Sequence, residues 1–121
     1  MSRVIEFQPW TMLWADSATN NGVLQNEEEW FETSGHNVAQ IQAEVLQASG
    51  CSLLLQGADM PDGEWEDHDD WDSAVAGSET VNLFREAPRG TPERLYRYLR
   101  WKVVGSSSEW DLVFRFALVL K

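Results

Sequence analysis

An all-β, antiparallel sandwich of the jelly-roll kind is the fold class this chain predicts, and three observations predict it. The last thirty residues alternate. Within 95–104, Leu95, Leu99, Trp101 and Val103 share one face with Arg97, while Tyr96, Tyr98, Arg100 and Lys102 share the other. Trp110, Leu112, Phe114, Phe116, Leu118 and Leu120 then alternate with Asp111, Val113, Arg115, Ala117 and Val119. A period of two puts successive side chains on opposite faces of a strand and leaves little room for helix. The second observation is Leu53-Leu54-Leu55, a short apolar run closed by Gly57, which reads as a buried sheet strand. Asp62-Gly63 follows as a turn, and Trp65 opens the next strand. Third, turn signals recur between short strands along the chain, as in sandwiches and jelly rolls.

The 121 residues form one domain, with a single core. Hydrophobic residues at 43% and charged residues at 24% describe a globular chain rather than a disordered one. Seven tryptophans predict a core or binding surface rich in large rings. The net charge of −11 is uneven: residues 1–84 carry 16 acidic side chains and one basic, residues 85–121 carry four acidic and eight basic, so −15 and +4 sum to −11. A chain this acidic repels phosphate backbones, which argues against nucleic acid as a partner. Cys51 is the single cysteine, excludes an internal disulfide, and reads as a small buried hydrophobe. The first fourteen residues lack a signal-peptide pattern and no apolar run approaches the length of a membrane span, so the expected location is the cytoplasm, or an assembled particle.

Taken in order, Val4, Ile5 and Phe7 predict a strand that stops at Pro9, and residues 10–14 predict a second apolar segment. Residues 16–22 read as a loop with Asn21-Gly22 as its turn, and Val23-Leu24-Gln25 as a brief strand. Glu27-Glu28-Glu29 is a solvated charge run before Trp30-Phe31. Residues 38–47 fit a helical spacing (Val38, Ile41, Val45) but also alternate, with Ile41, Ala43 and Val45 against Gln40, Gln42 and Glu44; the alternation selects a strand. Ser49-Gly50 then reads as a hairpin turn into the Leu53 strand. Residues 66–72 are too acidic for core, 73–78 form a small-residue loop, and 80–84 form another strand. Pro88 and Pro92 around Gly90 exclude helix and central strand. Gly105-Ser106-Ser107-Ser108 turns the chain between the two final strands.

Two segments together carry a resemblance. Leu54-Leu55-Gln56-Gly57-Ala58-Asp59, continued by Asp62-Gly63-Glu64-Trp65, is similar to the strand, turn and tryptophan pattern of discoidin-like, galactose-binding-like β-sandwich domains. Leu95-Tyr96-Arg97-Tyr98-Leu99-Arg100-Trp101 resembles a strand those domains carry further on. Similar hairpins occur in small structural proteins of phages and phage-like particles. Ala58 stands where the family has a serine, and no disulfide closes the termini. The resemblance spans residues 36–120, implies a sandwich with a binding role, and carries over no catalytic residue.

Two groups of residues are candidates for a site. Between Asp59 and Asp72, eight of fourteen residues are acidic, and Asp59, Asp62, Asp67, Asp69 and Asp70 are the candidate calcium ligands, since calcium takes six to eight oxygens. EF-hand spacing is absent, and the competing reading is a solvated acidic loop facing the basic C-terminal strands. His36 and His68 lie too far apart for a zinc pattern, and His68 among acids reads as a surface histidine with a raised pKa. No nucleophile–base signature or phosphate-cradling glycine loop is present, so the expectation is a non-enzymatic protein without a cofactor. Among the aromatics, Trp65, Trp101 and Trp110 are assigned to the core. Trp10, Trp14, Trp30 and Trp71, near loops or strand ends, are interface candidates, as is the face of Tyr96, Tyr98, Arg100 and Lys102. The leading expectation is an assembly subunit or decoration protein of a phage-like particle, whose acidic and basic parts favour head-to-tail contacts. The alternative is a carbohydrate-binding module, with calcium assistance.

Overall fold

The computed structural model describes residues 3–15, 22–72, 77–105 and 109–121, with the backbone alone at 3–4, 15, 22 and 69–72. Its strands are β1 (Arg3–Ala15), β2 (Gly22–Leu24), β3 (Phe31–Glu32), β4 (Val38–Ser49), β5 (Cys51–Ala58), β6 (Glu66–Asp72), β7 (Gly77–Phe84), β8 (Tyr98–Gly105) and β9 (Trp110–Leu120). They build two antiparallel sheets. Sheet A has the order β1-β9-β4-β7; sheet B has β2-β8-β5-β6, with β3 continuing the β2 edge along β8. Among the described residues, β5 and β6 are the consecutive strands that pair with each other. The others cross between the sheets or extend the same edge, which is jelly-roll connectivity.

Alternation makes the core. In β9 every second residue from Trp110 to Leu120 is buried, and in β4 the inward set is Ala39, Ile41, Ala43 and Val45. Facing them from sheet B are Leu53, Leu55, Leu99, Trp101 and Val103. Each large apolar side chain taken fully out of water contributes about 1.5–3 kcal/mol before entropy is counted. Rings lock the two layers: Phe7 lies 5.9 Å from Phe116 and 6.3 Å from Phe31, and Trp101 meets Phe114 edge-on at 5.1 Å. Trp101 also donates its indole N–H across the sandwich to Gln8 Oε1 at 2.9 Å. That bond satisfies the one polar atom the ring brings into the core.

Several expectations are corrected. Pro9 does not stop the first strand: β1 runs through it because it is an edge strand paired only with β9. The register jumps from Gln8↔Phe116 to Thr11↔Phe114, so Pro9 and Trp10 oppose Arg115 alone in a bulge that needs no proline N–H. Ser49-Gly50 is not a hairpin. Gly50, at φ 70°, turns the chain from β4 in sheet A to β5 in sheet B. Likewise β8 and β9 do not pair with each other; they lie in opposite sheets. β8 begins at Tyr98, so Arg97 is exposed rather than on the inward face, while Leu95 and Tyr96 are both buried. The acidic stretch 66–72 is not a loop but an edge strand paired with β5. Of the predicted turns at 16–22 and 105–108 and the loop at 73–78, only Gly22, Gly77, Ser78 and Gly105 are among the described residues, each within a strand. Finally, the charge polarity along the chain is not a polarity in space. C-terminal strands interleave with N-terminal ones, and ion pairs join Arg89 to Asp59, Arg97 to Glu32 and Arg115 to Glu44.

Candidate interaction surfaces

The outer face of sheet A is apolar at one end. On β1, Trp10, Met12 and Trp14 point outward at every second position with 48%, 67% and 64% of their surface exposed, and Leu46 on β4 is 67% exposed. Met12 lies opposite Val113, and Trp14 opposite Asp111. Two bulges shape this face. The one at Pro9-Trp10 is stapled by Gln8 Nε2 donating to Thr11 Oγ1 at 2.6 Å and by Thr11 Oγ1 donating to the Pro9 carbonyl at 2.7 Å. The other puts Leu46 outside, between the pairs Val45↔Phe114 and Gln47↔Val113. Arg115 sits between them, 5.6 Å from the Trp10 ring and 2.9 Å from Glu44 Oε1, so its charge is neutralised within the face.

The outer face of sheet B is aromatic and polar. Gln25 is buried and continues the β2 edge with its own groups: its backbone N–H donates to the Trp101 carbonyl at 3.2 Å, and its Oε1 accepts from the Trp101 N–H at 3.1 Å. The chain can then leave the edge for the short 3-10 turn Glu27–Glu29 and return at β3. That excursion places Trp30 over the sheet, fixed by its indole N–H on the Gln25 carbonyl at 3.0 Å. Trp65 is fixed in the same way on the Pro61 carbonyl at 3.2 Å, and the two rings meet edge-on at 4.7 Å. Arg100 lies over both rings, its guanidinium carbon 3.9 Å from the Trp65 centroid and 5.3 Å from that of Trp30. Arg100 Nε donates to Gln56 Oε1 at 2.8 Å, and Gln56 Nε2 donates to Asp67 Oδ1 at 2.7 Å. This cross-strand chain joins β8, β5 and β6. Burial holds Arg100 below the ordinary guanidinium range, against the attraction of Asp67.

Of the interface candidates, Trp10 and Trp14 lie together on sheet A; Trp30, Arg100, Tyr98 and Lys102 lie on the other outer face. Tyr96 does not belong there. It is buried, and its hydroxyl accepts from the Gly90 N–H at 2.8 Å. Trp65, assigned to the core, is half-buried on the surface beside Trp30, because it precedes β6 instead of lying within it. The side chain of Trp71 lies outside the described residues. His68 is buried rather than superficial: it occupies the bulge between Leu55↔Asp69 and Gln56↔Asp67, with Nδ1 2.9 Å from the Pro92 carbonyl and its ring 5.5 Å from Tyr96. Gly57 makes room for it, since a Cβ there would stand 2.4 Å from His68 Nε2.

The described calcium candidates do not converge on one site. Asp59 pairs with Arg89 at 3.0 Å, Asp62 lies in an exposed turn, and Asp67 accepts from Gln56. Asp69 and Asp70 oppose Leu55 and Leu54, with side chains outside the description. Among the described residues no three His, Cys, Asp or Glu side chains converge as metal ligands. Asp59, Glu64, Glu66, Arg89 and Tyr96 line a cleft of about 340 Å³ at this end of the sandwich. Met12, Leu46, Gln56 and Gln25 escaped the sequence reading. Met12 was legible as the middle of the alternation Trp10, Met12, Trp14; Leu46 depends on a bulge and Gln25 on a broken edge, and neither leaves a pattern.

No family model matches the chain, and no curated protein matches it. Solved structures do. A chain from infectious bursal disease virus, Gx strain, superposes with a TM-score of 0.57 at 13% identity, over 99% of this chain and 31% of that one. A chain of the infectious bursal disease virus VP2 subviral particle gives 0.52 at 12% identity, over 98% and 32%. TmCBM61, in complex with β-1,4-galactotriose, gives 0.50 at 12% identity, over 99% and 82%. The chain thus spans about a third of the length of the two viral chains. These likenesses are likenesses of fold, an antiparallel β-sandwich.

Proposed function

We propose that the chain is a non-enzymatic structural subunit that packs against its neighbours, as a component of a phage-like particle does. One observation carries this reading: Trp10, Met12, Trp14 and Leu46 stand exposed on the outer face of sheet A. Together they expose on the order of 500 Å² of apolar surface, the size at which a patch marks an interaction site. The charges of Arg115 and Glu44 cancel at 2.9 Å beside the patch, so this pair adds no net charge to a contact between copies of an acidic chain. Jelly rolls serve both as particle subunits and as lectin domains, so the architecture suits the role without dictating it. Sedimentation over a wide concentration range, at low and high salt, tests the reading. Concentration-dependent association that persists when salt screens the acidic surface supports it; a strict monomer throughout removes it.

A second reading, glycan binding, is favoured by the rigid Trp30–Trp65–Arg100 cluster on the opposite face. Fixed indole rings flanking a hydrogen-bonding group are suited to an apolar ring face with polar edges.

A further inference from the structure

We propose that the outer face of β8 binds a carboxylated sugar, a uronate of an acidic glycan, held by Arg100 and Lys102 against the indole walls of Trp30 and Trp65. This rests on the glycan reading and adds the charge of the ligand and the place where it sits.

A guanidinium stacked on a ring keeps its N–H bonds in its own plane, so lying on Trp65 costs Arg100 no donor. Nε is taken by Gln56 Oε1, and among the described residues no hydrogen-bond partner engages either Nη. Lys102 lies two residues further on the same face, about 7 Å along the strand, and enters no ion pair among the described residues. The nearby acceptors are already engaged. Gln56 Oε1 holds Arg100, Asp67 Oδ1 holds Gln56 Nε2, and both indole N–H groups are spent on the carbonyls of Gln25 and Pro61.

What remains around Arg100, among the described residues, is N–H donors and apolar carbon. A sugar hydroxyl both donates and accepts, and finds half its needs met there. A carboxylate only accepts, and its two oxygens match the guanidinium fork. Asp67 is bonded to Gln56, which stands between it and Arg100 in the cross-strand order Asp67↔Gln56↔Arg100. The C–H face of the pyranose then lies on the indole carbon that Arg100 leaves uncovered, since the ring nitrogens are bonded to backbone carbonyls.

The test titrates the protein with oligogalacturonate, its methyl ester, a neutral galacto-oligosaccharide and oligoglutamate, by calorimetry and tryptophan fluorescence. The free acid is expected to bind, with the ester about tenfold weaker or worse, because esterification removes the charge and keeps the ring. Arg100→Gln is expected to lower acid binding about tenfold and Lys102→Gln about threefold, with circular dichroism and thermal melting reporting the fold of each. The ester comparison needs no variant, so an Arg100→Gln chain that fails to fold leaves the test intact. Equal binding of acid and ester overturns the inference and leaves the glycan reading standing. Binding of oligoglutamate as tight as the uronate overturns it in favour of an acidic polypeptide partner. Failure of every sugar to bind removes both.

Discussion

The two outer faces of the sandwich are made by the same alternation and differ in what each does with its arginine. On sheet A, Arg115 is neutralised by Glu44 and roofed by Trp10, and the residues around it, Met12, Trp14 and Leu46, are left bare. On sheet B, Arg100 lies against two indoles, and its hydrogen bond among the described residues goes to a neutral glutamine. A neutralised arginine beside exposed apolar carbon makes a surface that gains by being covered. A stacked arginine with open donors makes one that gains by being paired. The difference also lies in the backbone: bulges push apolar side chains out of sheet A, whereas a broken edge and a turn bring tryptophans onto sheet B from outside the ladder.

The largest expected effect comes from breaking the support of the sheet B face. Gly57→Ala would set a Cβ 2.4 Å from His68 Nε2 and 2.8 Å from Tyr96 Cδ2, in a site where both rings are buried. The clash must displace the β6 bulge and with it Asp67, at a cost of about 2–3 kcal/mol. Chemical denaturation should show that loss, while association through sheet A is retained. A midpoint within error of the parent would mean that His68 is not lodged as described.

Next in size is the sheet A face. Met12→Glu combined with Trp14→Glu places charge on positions that are mostly exposed, so each should alter stability by no more than about 0.5 kcal/mol. Association should nevertheless weaken at least about tenfold, because each new carboxylate would be buried unpaired in the contact. Sedimentation of the variant checks it; unchanged association would move the interface elsewhere.

How much of this was legible follows the same division. Strands that alternate over many residues, β4, β8 and β9, were readable because burial on one face imposes a period of two. Which strand pairs with which was not, because Ser49-Gly50 looks the same whether it closes a hairpin or turns a corner between sheets. The outward tryptophans Trp10, Trp14 and Trp30 were readable from their flanking loops and prolines. Trp65 and Tyr96 exchanged roles, core for surface, since each lies just before a strand where the alternation has not yet begun. The acidic stretch misled in a different way. Five acids in seven residues suit an edge strand that must avoid pairing with another chain as well as they suit a loop.

A moderate effect is expected at Arg100. Arg100→Ala removes the cap over two indoles and leaves Gln56 Oε1 without its donor, a loss of about 1–2 kcal/mol. Arg100→Lys keeps the charge but not the plane, so it should recover less than half of the loss. Denaturation midpoints of the two variants decide whether stacking or charge holds this face together; full recovery by lysine would favour charge.

The smallest effect belongs to the rim of sheet B, where β3 meets β8. Glu32 is held below the ordinary glutamate range first by the Ser34 hydroxyl, at 2.7 Å, and then by Arg97, at 3.0 Å. A carboxyl depressed in the folded chain contributes stability that is fully present above its unfolded pKa and is lost as pH falls through the folded value. Glu32→Gln should therefore leave neutral stability nearly unchanged and flatten the acid limb of the stability profile. Because the ion pair is open to solvent, added salt should shrink the difference further. Carboxyl titration by NMR is the direct check, and a Glu32 pKa at or above that of an isolated glutamate would show that the ion pair is not formed in solution.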